Sequence, residues 1–434
     1  MSSFIIQGNA SLSGDIVPQG AKNEALQVLC AVLLTPEKVR INNLPDIRDV
    51  KRLIEILIAL GVDVTPIDRN TYEFQAKDIN FDYLQSPEFV KISGAIRASI
   101  MILGPLLGRF GKAYAARPGG DKIGRRPLNA HFEGFQALGA EFSYNSKTTL
   151  YELSAKRLEG KYILLSEASV TGTANVVMAA VMAHGTTTIF NAACEPYLYQ
   201  LCTMLNKMGA KISGIGSNLL TIEGVEYLGG CEHTILPDMI EIGSFIGMAA
   251  LTRSELTIKN CGVPHLGIIP SVFRKLGIQL DIQGDDIHIP HQEEYEVETN
   301  MDGSILTVSD APWPGFTPDL ISIVLVTAIQ AKGSVLIHQK MFESRLFFVD
   351  KLKEMGAQII LCDPHRATVI GLNRKYQLRG TTMDSPDIRA GVSLLLAALS
   401  AEGYSRINNC EQIDRGYQDI VQRLNALGAV IVRE

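Results

Sequence analysis

Apolar residues along this 434-residue chain recur in two patterns. In the first they return at i, i+3, i+4 and i+7 with charge between them: Val50, Leu53, Ile54, Ile56, Leu57 and Leu60 are interspersed with Lys51, Arg52 and Glu55. That spacing predicts an amphipathic helix with one face in a core. The helix runs into Leu60-Gly61-Val62, and the same phrase returns as Leu138-Gly139-Ala140, Met208-Gly209-Ala210, Leu276-Gly277-Ile278, Met355-Gly356-Ala357 and Leu427-Gly428-Ala429, about 70 to 80 residues apart. Each glycine stands where a helix C-terminus calls for positive φ. In the second pattern the residues are apolar on every side, as in Ala174 to Met182 and Ala390 to Leu399, which predicts helices buried in an interior. β-branched runs such as Ala429-Val430-Ile431-Val432 and Gly333-Ser334-Val335-Leu336-Ile337 read as strands. The repeat is therefore expected to be β, α, β, α, β. Three copies around three buried helices make one domain, and six make two. A solenoid is the competing architecture, but this period is longer than the common helical or leucine-rich repeats.

Length points the same way, since a single core stops growing at roughly 250 to 300 residues. With 46% hydrophobic and 20% charged residues the composition is that of an ordinary globular protein. The opening Met1 to Gly8 has neither a basic nor a long apolar region, so a cytoplasmic protein is expected. Ile100 to Leu107 and Val392 to Leu399 are too short to span a bilayer, so no membrane association is expected. A net charge of −6 argues against a nucleic-acid partner. The seven cysteines are scattered with no C-x-x-C pair, and neither a P-loop nor H-E-x-x-H is present, so no metal or cofactor is expected.

A second set of residues carries chemistry: Gly20-Ala21-Lys22-Asn23, Arg97-Ala98-Ser99, Pro118-Gly119-Gly120, Ile123-Gly124, Arg126-Pro127, Phe316 with Asp319, Phe342-Glu343-Ser344-Arg345, Asp387-Ile388-Arg389-Ala390 and Ile413-Asp414-Arg415-Gly416-Tyr417. In this order they resemble the UDP-N-acetylglucosamine enolpyruvyl transferases, relatives of the enzyme that makes 5-enolpyruvylshikimate 3-phosphate. The likeness covers nearly the whole chain. It implies a two-domain inside-out α/β barrel, with residues 1–21 and 237–434 in one domain, 22–236 in the other, and a mobile lid at about 108–127. The Asn-Ala-Gly-Thr phrase of the shikimate branch is missing where this chain has Ser93-Gly94-Ala95-Ile96-Arg97, so the sugar-nucleotide branch fits better.

The resemblance also implies the site. Phosphoenolpyruvate carries a phosphate and a carboxylate on three carbons, so cations and bidentate donors are needed around it. Lys22, Asn23, Arg126, Arg345, Arg389 and Arg415 are the residues implied. For UDP-N-acetylglucosamine they are Asn23, Arg97, Arg126, Ser169, Asp319 and Phe342. Asp319 is expected to be the base that takes the proton of the attacking hydroxyl, and Asp121 the acid that protonates the C3 methylene, with Lys22 the third catalytic residue. Asp121 stands where many relatives have a cysteine, the group alkylated by fosfomycin, so an active but fosfomycin-insensitive enzyme is expected. Thr171 and Met239 also depart from the family's usual Gly and Arg. These departures keep two other readings open: a non-catalytic sugar-nucleotide binder, and an enolpyruvyl transferase for another acceptor. A monomer or weak homo-oligomer is expected.

Overall fold

The computed structural model describes residues 2–121 and 123–434. The backbone forms two compact units: Met1–Gln19, Lys122–Arg125 and Pro237–Glu434 make the first, and Gly20–Asp121 and Arg126–Leu236 the second.

In the first unit, helices Met239–Leu251, Ile321–Ala328 and Ile388–Ser400 pack on one another, and each also packs on a sheet of its own. Every residue of the first two is buried, as expected of segments with no polar face. Gly243 and Gly247 permit the close approach: a Cβ at Gly243 would lie 2.6 Å from Leu320 Cδ1, and one at Gly247 2.5 Å from Thr327 Oγ1. Replacing either would push the inner helices apart.

The repeat has one strand more than the expected β, α, β, α, β. Strand Leu306–Ser309 lies parallel to Ser334–His338 across an inner helix, and Arg366–Ile370 then pairs antiparallel to Ser334–His338 with Gln358–Asp363 at the edge. The extra strand is the return arm of a hairpin. Its turn is only Pro364-His365, held by Asp363 Oδ1, which accepts from the N–H groups of His365 and Arg366 at 2.8 Å each. The Asp363-Pro364 dipeptide is itself a turn signal between the two strands.

Two long-range pairings build the units from discontinuous segments. Strand Ser13–Ile16 pairs parallel with Glu255–Ile258 in the first unit, and Cys231–Thr234 pairs parallel with Lys38–Asn42 in the second. Each therefore sits beside a strand far away in sequence. Ser3–Gln7 completes another sheet of the first unit between Tyr404–Asn408 and Val430–Arg433.

The second unit has inner helices Lys22–Ala31, Leu103–Phe110 and Val170–Ala180. One of its sheets has only three strands, Lys112–Ala116, Leu150–Ser154 and Glu141–Asn145. All six glycines of the repeated phrase take positive φ, between 90° and 110°. After Gly61, the N–H of Val62 reaches back to Leu57 O at 3.0 Å, the bond that closes a helix of this kind.

The proposed lid at 108–127 needs correction. Residues up to Phe110 finish an inner helix, and Lys112–Ala116 is a strand paired along its length with Leu150–Ser154. Arg109 is tied to the carbonyls of Leu33 and Ala76 at 3.1 and 2.7 Å. Irregular backbone begins only after Ala116, and Lys122–Arg125 groups with the first unit, where the Ser344 N–H donates to Ile123 O at 3.2 Å. Among the described residues no helix is long and apolar enough to cross a membrane.

Candidate active site

Part of the candidate set lies at the N-terminal ends of the inner helices. Lys22 is the first residue of Lys22–Ala31, Arg97 opens a 3₁₀ turn that continues into Leu103–Phe110, and Ser169 caps Val170–Ala180. In the first unit Asp319 lies in the 3₁₀ turn before Ile321–Ala328, and Arg389 is the second residue of Ile388–Ser400. A helix N-terminus has free N–H groups and a partial positive charge, so each end favours an anionic ligand.

In the first unit, Arg345 Nη2 donates to Asp319 Oδ1 at 2.5 Å and Arg389 Nη2 to Asp319 Oδ2 at 3.1 Å. One carboxylate is thus gripped by two guanidiniums. Burial alone would raise the Asp319 pKa, but the charges of Arg389 and Arg345 and their hydrogen bonds override it and hold the carboxyl well below the usual range. Arg389 Nη1 reaches the Tyr417 hydroxyl at 3.4 Å, which is itself 2.9 Å from Ser244 Oγ. Burial pushes that phenol up to about 12, so it stays protonated at neutral pH. The Arg345 guanidinium lies over the Phe342 ring, 5.0 Å from its centroid. Arg415 ends the 3₁₀ segment Cys410–Arg415 and donates to Gln412 Oε1 at 2.9 Å.

In the second unit, Lys22 Nζ is 2.7 Å from Asp49 Oδ2, and both residues are buried. Asn23, next along the helix, is half-buried. Arg97 Nη2 donates to the carbonyls of Arg126 and Pro127 at 3.1 and 3.4 Å, and its buried Nε has no acceptor. Burial, and then the neighbouring charge of Arg126, lower the Arg97 pKa to about 10. The Pro118-Gly119-Gly120 loop has a steric reason for its glycines. A Cβ on Gly119 would lie 1.7 Å from Gly94 O, and Gly120 has φ +107° with Arg97 Cβ 3.1 Å from where its own Cβ would be. This turn places Asp121 directly after the Arg97 contact.

Ser169 is a helix cap in the structure, with its Oγ accepting from the Gly172 N–H at 3.2 Å. Behind it, Asn175 fixes a buried network. Its Oδ1 accepts from the Gly104 N–H at 2.8 Å, so its Nδ2 faces Ile100 O and His131 Nδ1, each at 2.8 Å. The lone pair of Nδ1 must receive that hydrogen, which leaves the proton on Nε2, 3.1 Å from Thr171 Oγ1. Burial, and then the charge of Arg97, lower the His131 pKa to about 3.

Asp49 was passed over by the sequence reading. Its only signal is an acidic residue in the first turn of helix Arg48–Ala59, which describes many solvated caps. Among the described residues no group of three or more His, Cys, Asp and Glu side chains is arranged to hold a metal ion.

Comparison with known proteins gives the family and the fold. Residues 6–424 match the family described as EPSP synthase (3-phosphoshikimate 1-carboxyvinyltransferase). The chain is 64% identical over 433 residues to UDP-N-acetylglucosamine 1-carboxyvinyltransferase of Bacteroides thetaiotaomicron, covering 100% of both chains. Identity is also 64% over 433 residues, again covering 100% of both, with the enzyme of that name from Porphyromonas gingivalis. Among solved structures, the enolpyruvyl transferase NikO from Streptomyces tendae superposes with a TM-score of 0.86 at 23% identity, covering 100% of this chain and 99% of that one. Its fold, with helices inside and sheets outside, is the one described above. On full-length identity of this order, the chain belongs to the enolpyruvyl transferase family, within its UDP-N-acetylglucosamine 1-carboxyvinyltransferase branch.

Proposed function

We propose that this chain transfers the enolpyruvyl group of phosphoenolpyruvate to the 3-hydroxyl of the sugar of UDP-N-acetylglucosamine and releases phosphate, the first committed step of peptidoglycan synthesis. The observation that carries the reading is the Asp319 carboxylate between Arg345 and Arg389, a base and two carboxylate-binding forks in one cluster. In the proposed assignment Arg345 and Arg389 take the carboxylate of phosphoenolpyruvate. Lys22, Arg126 and Arg415 take its phosphate, and Asn23 lines the same substrate. Arg97, Ser169 and Phe342 serve the sugar nucleotide together with Asn23, Arg126 and Asp319.

Asp319 is a poor base while both guanidiniums lie on it. A substrate carboxylate that draws their donors away removes the charge that depresses its pKa, and the freed carboxylate can then accept the hydroxyl proton. The acceptor oxygen bonds to C2 as the C2–C3 π pair takes a proton from Asp121 to make a methyl group. In the reverse sense, a methyl proton returns to Asp121, the C2–C3 double bond re-forms, and the C2–O bond to phosphate breaks. Lys22 meets the charge that develops on the departing phosphate. Both substrates belong to cytoplasmic metabolism, so the reaction is placed there.

Phosphate release from phosphoenolpyruvate, with and without UDP-N-acetylglucosamine, tests the reading. Release is expected only with the acceptor and is expected to fall about 10²- to 10⁴-fold in Asp121→Asn. A well-folded wild type that releases none would point to a non-catalytic binder, and release with a different acceptor would correct the substrate. Preincubation with fosfomycin should leave the wild-type rate unchanged; inactivation with a stable adduct on Asp121 would overturn the expected insensitivity.

A further inference from the structure

Asp310 follows strand Leu306–Ser309 and is completely buried, at 0% exposure. No motif singles it out in the sequence. Three donors converge on its carboxylate: Gln339 Nε2, the Lys340 N–H at 2.5 Å and the Met341 N–H at 3.2 Å. Gln339 is also 0% exposed, and its backbone is held from the other side by His365, with Gln339 N donating to His365 O at 2.7 Å. On its own strand, Asp310 bridges to Phe316, and the Ala311 N–H donates to Phe316 O at 3.0 Å.

These bonds tie together two loops that the sequence keeps apart. One runs from Asp310 through Phe316 to Asp319, and the other from Gln339 through Met341 to Arg345. Asp319 and Arg345 meet at 2.5 Å, and nothing in their own loops dictates that meeting. A carboxylate suits the junction because it only accepts, and every group facing it here donates. An amide would turn an N–H₂ toward at least one of these donors. Burying a charge at this point is expensive unless its bonds are kept, which makes the junction stiff.

We propose that Asp310 is a positioning residue that holds the loop carrying Arg345 against the loop carrying Asp319, and so sets the geometry with which Arg345 grips the carboxylate of the enolpyruvyl donor. The inference rests on the function proposed above. Asp310 touches neither substrate nor reacting atoms in this scheme and acts through Arg345.

The test is a double-mutant cycle on kcat/KM for phosphoenolpyruvate with Asp310→Asn, Arg345→Lys and the pair. Asp310→Asn alone is expected to lower kcat/KM about tenfold to a hundredfold, because a misplaced binding group of this kind costs about that much. In the Arg345→Lys background the same change should cost less than twofold. Equal losses in both backgrounds would show that Asp310 does not act through Arg345 and would overturn the inference, as would full activity in Asp310→Asn. If Asp310→Asn does not fold, Gln339→Leu removes one of the three bonds from outside the carboxylate and enters the same cycle with the same expectations. A wild type without acceptor-dependent phosphate release would overturn the proposed function itself, whereas an active wild type with additive losses would remove only the role of Asp310.

Discussion

The two units meet their buried cations differently. In the first, Arg345 and Arg389 share a carboxylate, Asp319, that is itself assigned to the reaction. In the second, Arg97 donates through Nη2 to main-chain carbonyls and faces a like charge on Arg126, while Lys22 is matched by Asp49. The first arrangement places its own carboxylate between the two guanidiniums, so an anion must compete with Asp319 and releases a base when it wins. Around Arg97 the neighbouring charges are Arg126 and the carboxylate of Glu167, which is not assigned to the reaction, so an anion that binds there releases no base. The same residue types at equivalent helix ends thus do two jobs, decided by whether the counter-ion is reactive.

The sharpest way to break this comparison is Asp319→Asn. The amide keeps the shape but removes both the base and the charge between the guanidiniums, so kcat is expected to fall about 10²- to 10⁴-fold. The fall should persist at saturating phosphoenolpyruvate. A change confined to KM would mean that Asp319 is only a counter-ion, and the difference between the units would shrink to one of pairing.

A smaller effect is expected from Arg97→Met in the second unit. Losing a charged donor from a partly buried site costs about 1.5 to 3 kcal/mol, or roughly ten- to a hundredfold in substrate affinity. The loss should appear in KM for UDP-N-acetylglucosamine rather than in kcat. If it appears instead in kcat with KM unchanged, Arg97 acts in the transition state and belongs with the Asp319 group.

The repeated architecture was legible in the sequence because its signals are local. A C′ glycine or an apolar helix is read within about ten residues, and Gly61, Gly139 and Ala390 to Leu399 needed nothing else. The hairpin return strand Arg366–Ile370 was not, although Asp363-Pro364 is a turn signal, because the expected repeat has a single strand after each phrase glycine. For the site, the cations stood in recognisable phrases, but their partners did not. Asp49 and Asp310 are ordinary acids in sequence, and their roles come from burial and from contacts 27 to 31 residues away. The segment 108–127 misled for the opposite reason. Its glycines and arginines are those of a loop, yet Gly111 ends a helix at φ +68° and Lys112–Ala116 is held by strand pairing that no local pattern reports.

The mildest test concerns the support behind the second unit's cations. His131 is buried and neutral, with its pKa lowered from 6.5 to about 3 by burial and by Arg97, whereas the unfolded chain protonates it near 6.5. A depressed folded pKa means that its stabilisation is complete above pH 6.5 and is lost as pH falls from there toward 3. The slope is at most about 1.4 kcal/mol per pH unit from this one group. Amide exchange at Gly104, whose N–H donates to Asn175 Oδ1, reports the network directly. Between pH 7 and pH 5 its protection should fall in wild type by up to about 2 kcal/mol more than in His131→Gln, after correction for intrinsic exchange. The chain's one tryptophan, Trp313, lies in the first unit, so its fluorescence gives a control that this proton should leave unchanged. Equal pH dependence of Gly104 in wild type and variant would mean that His131 does not titrate on opening.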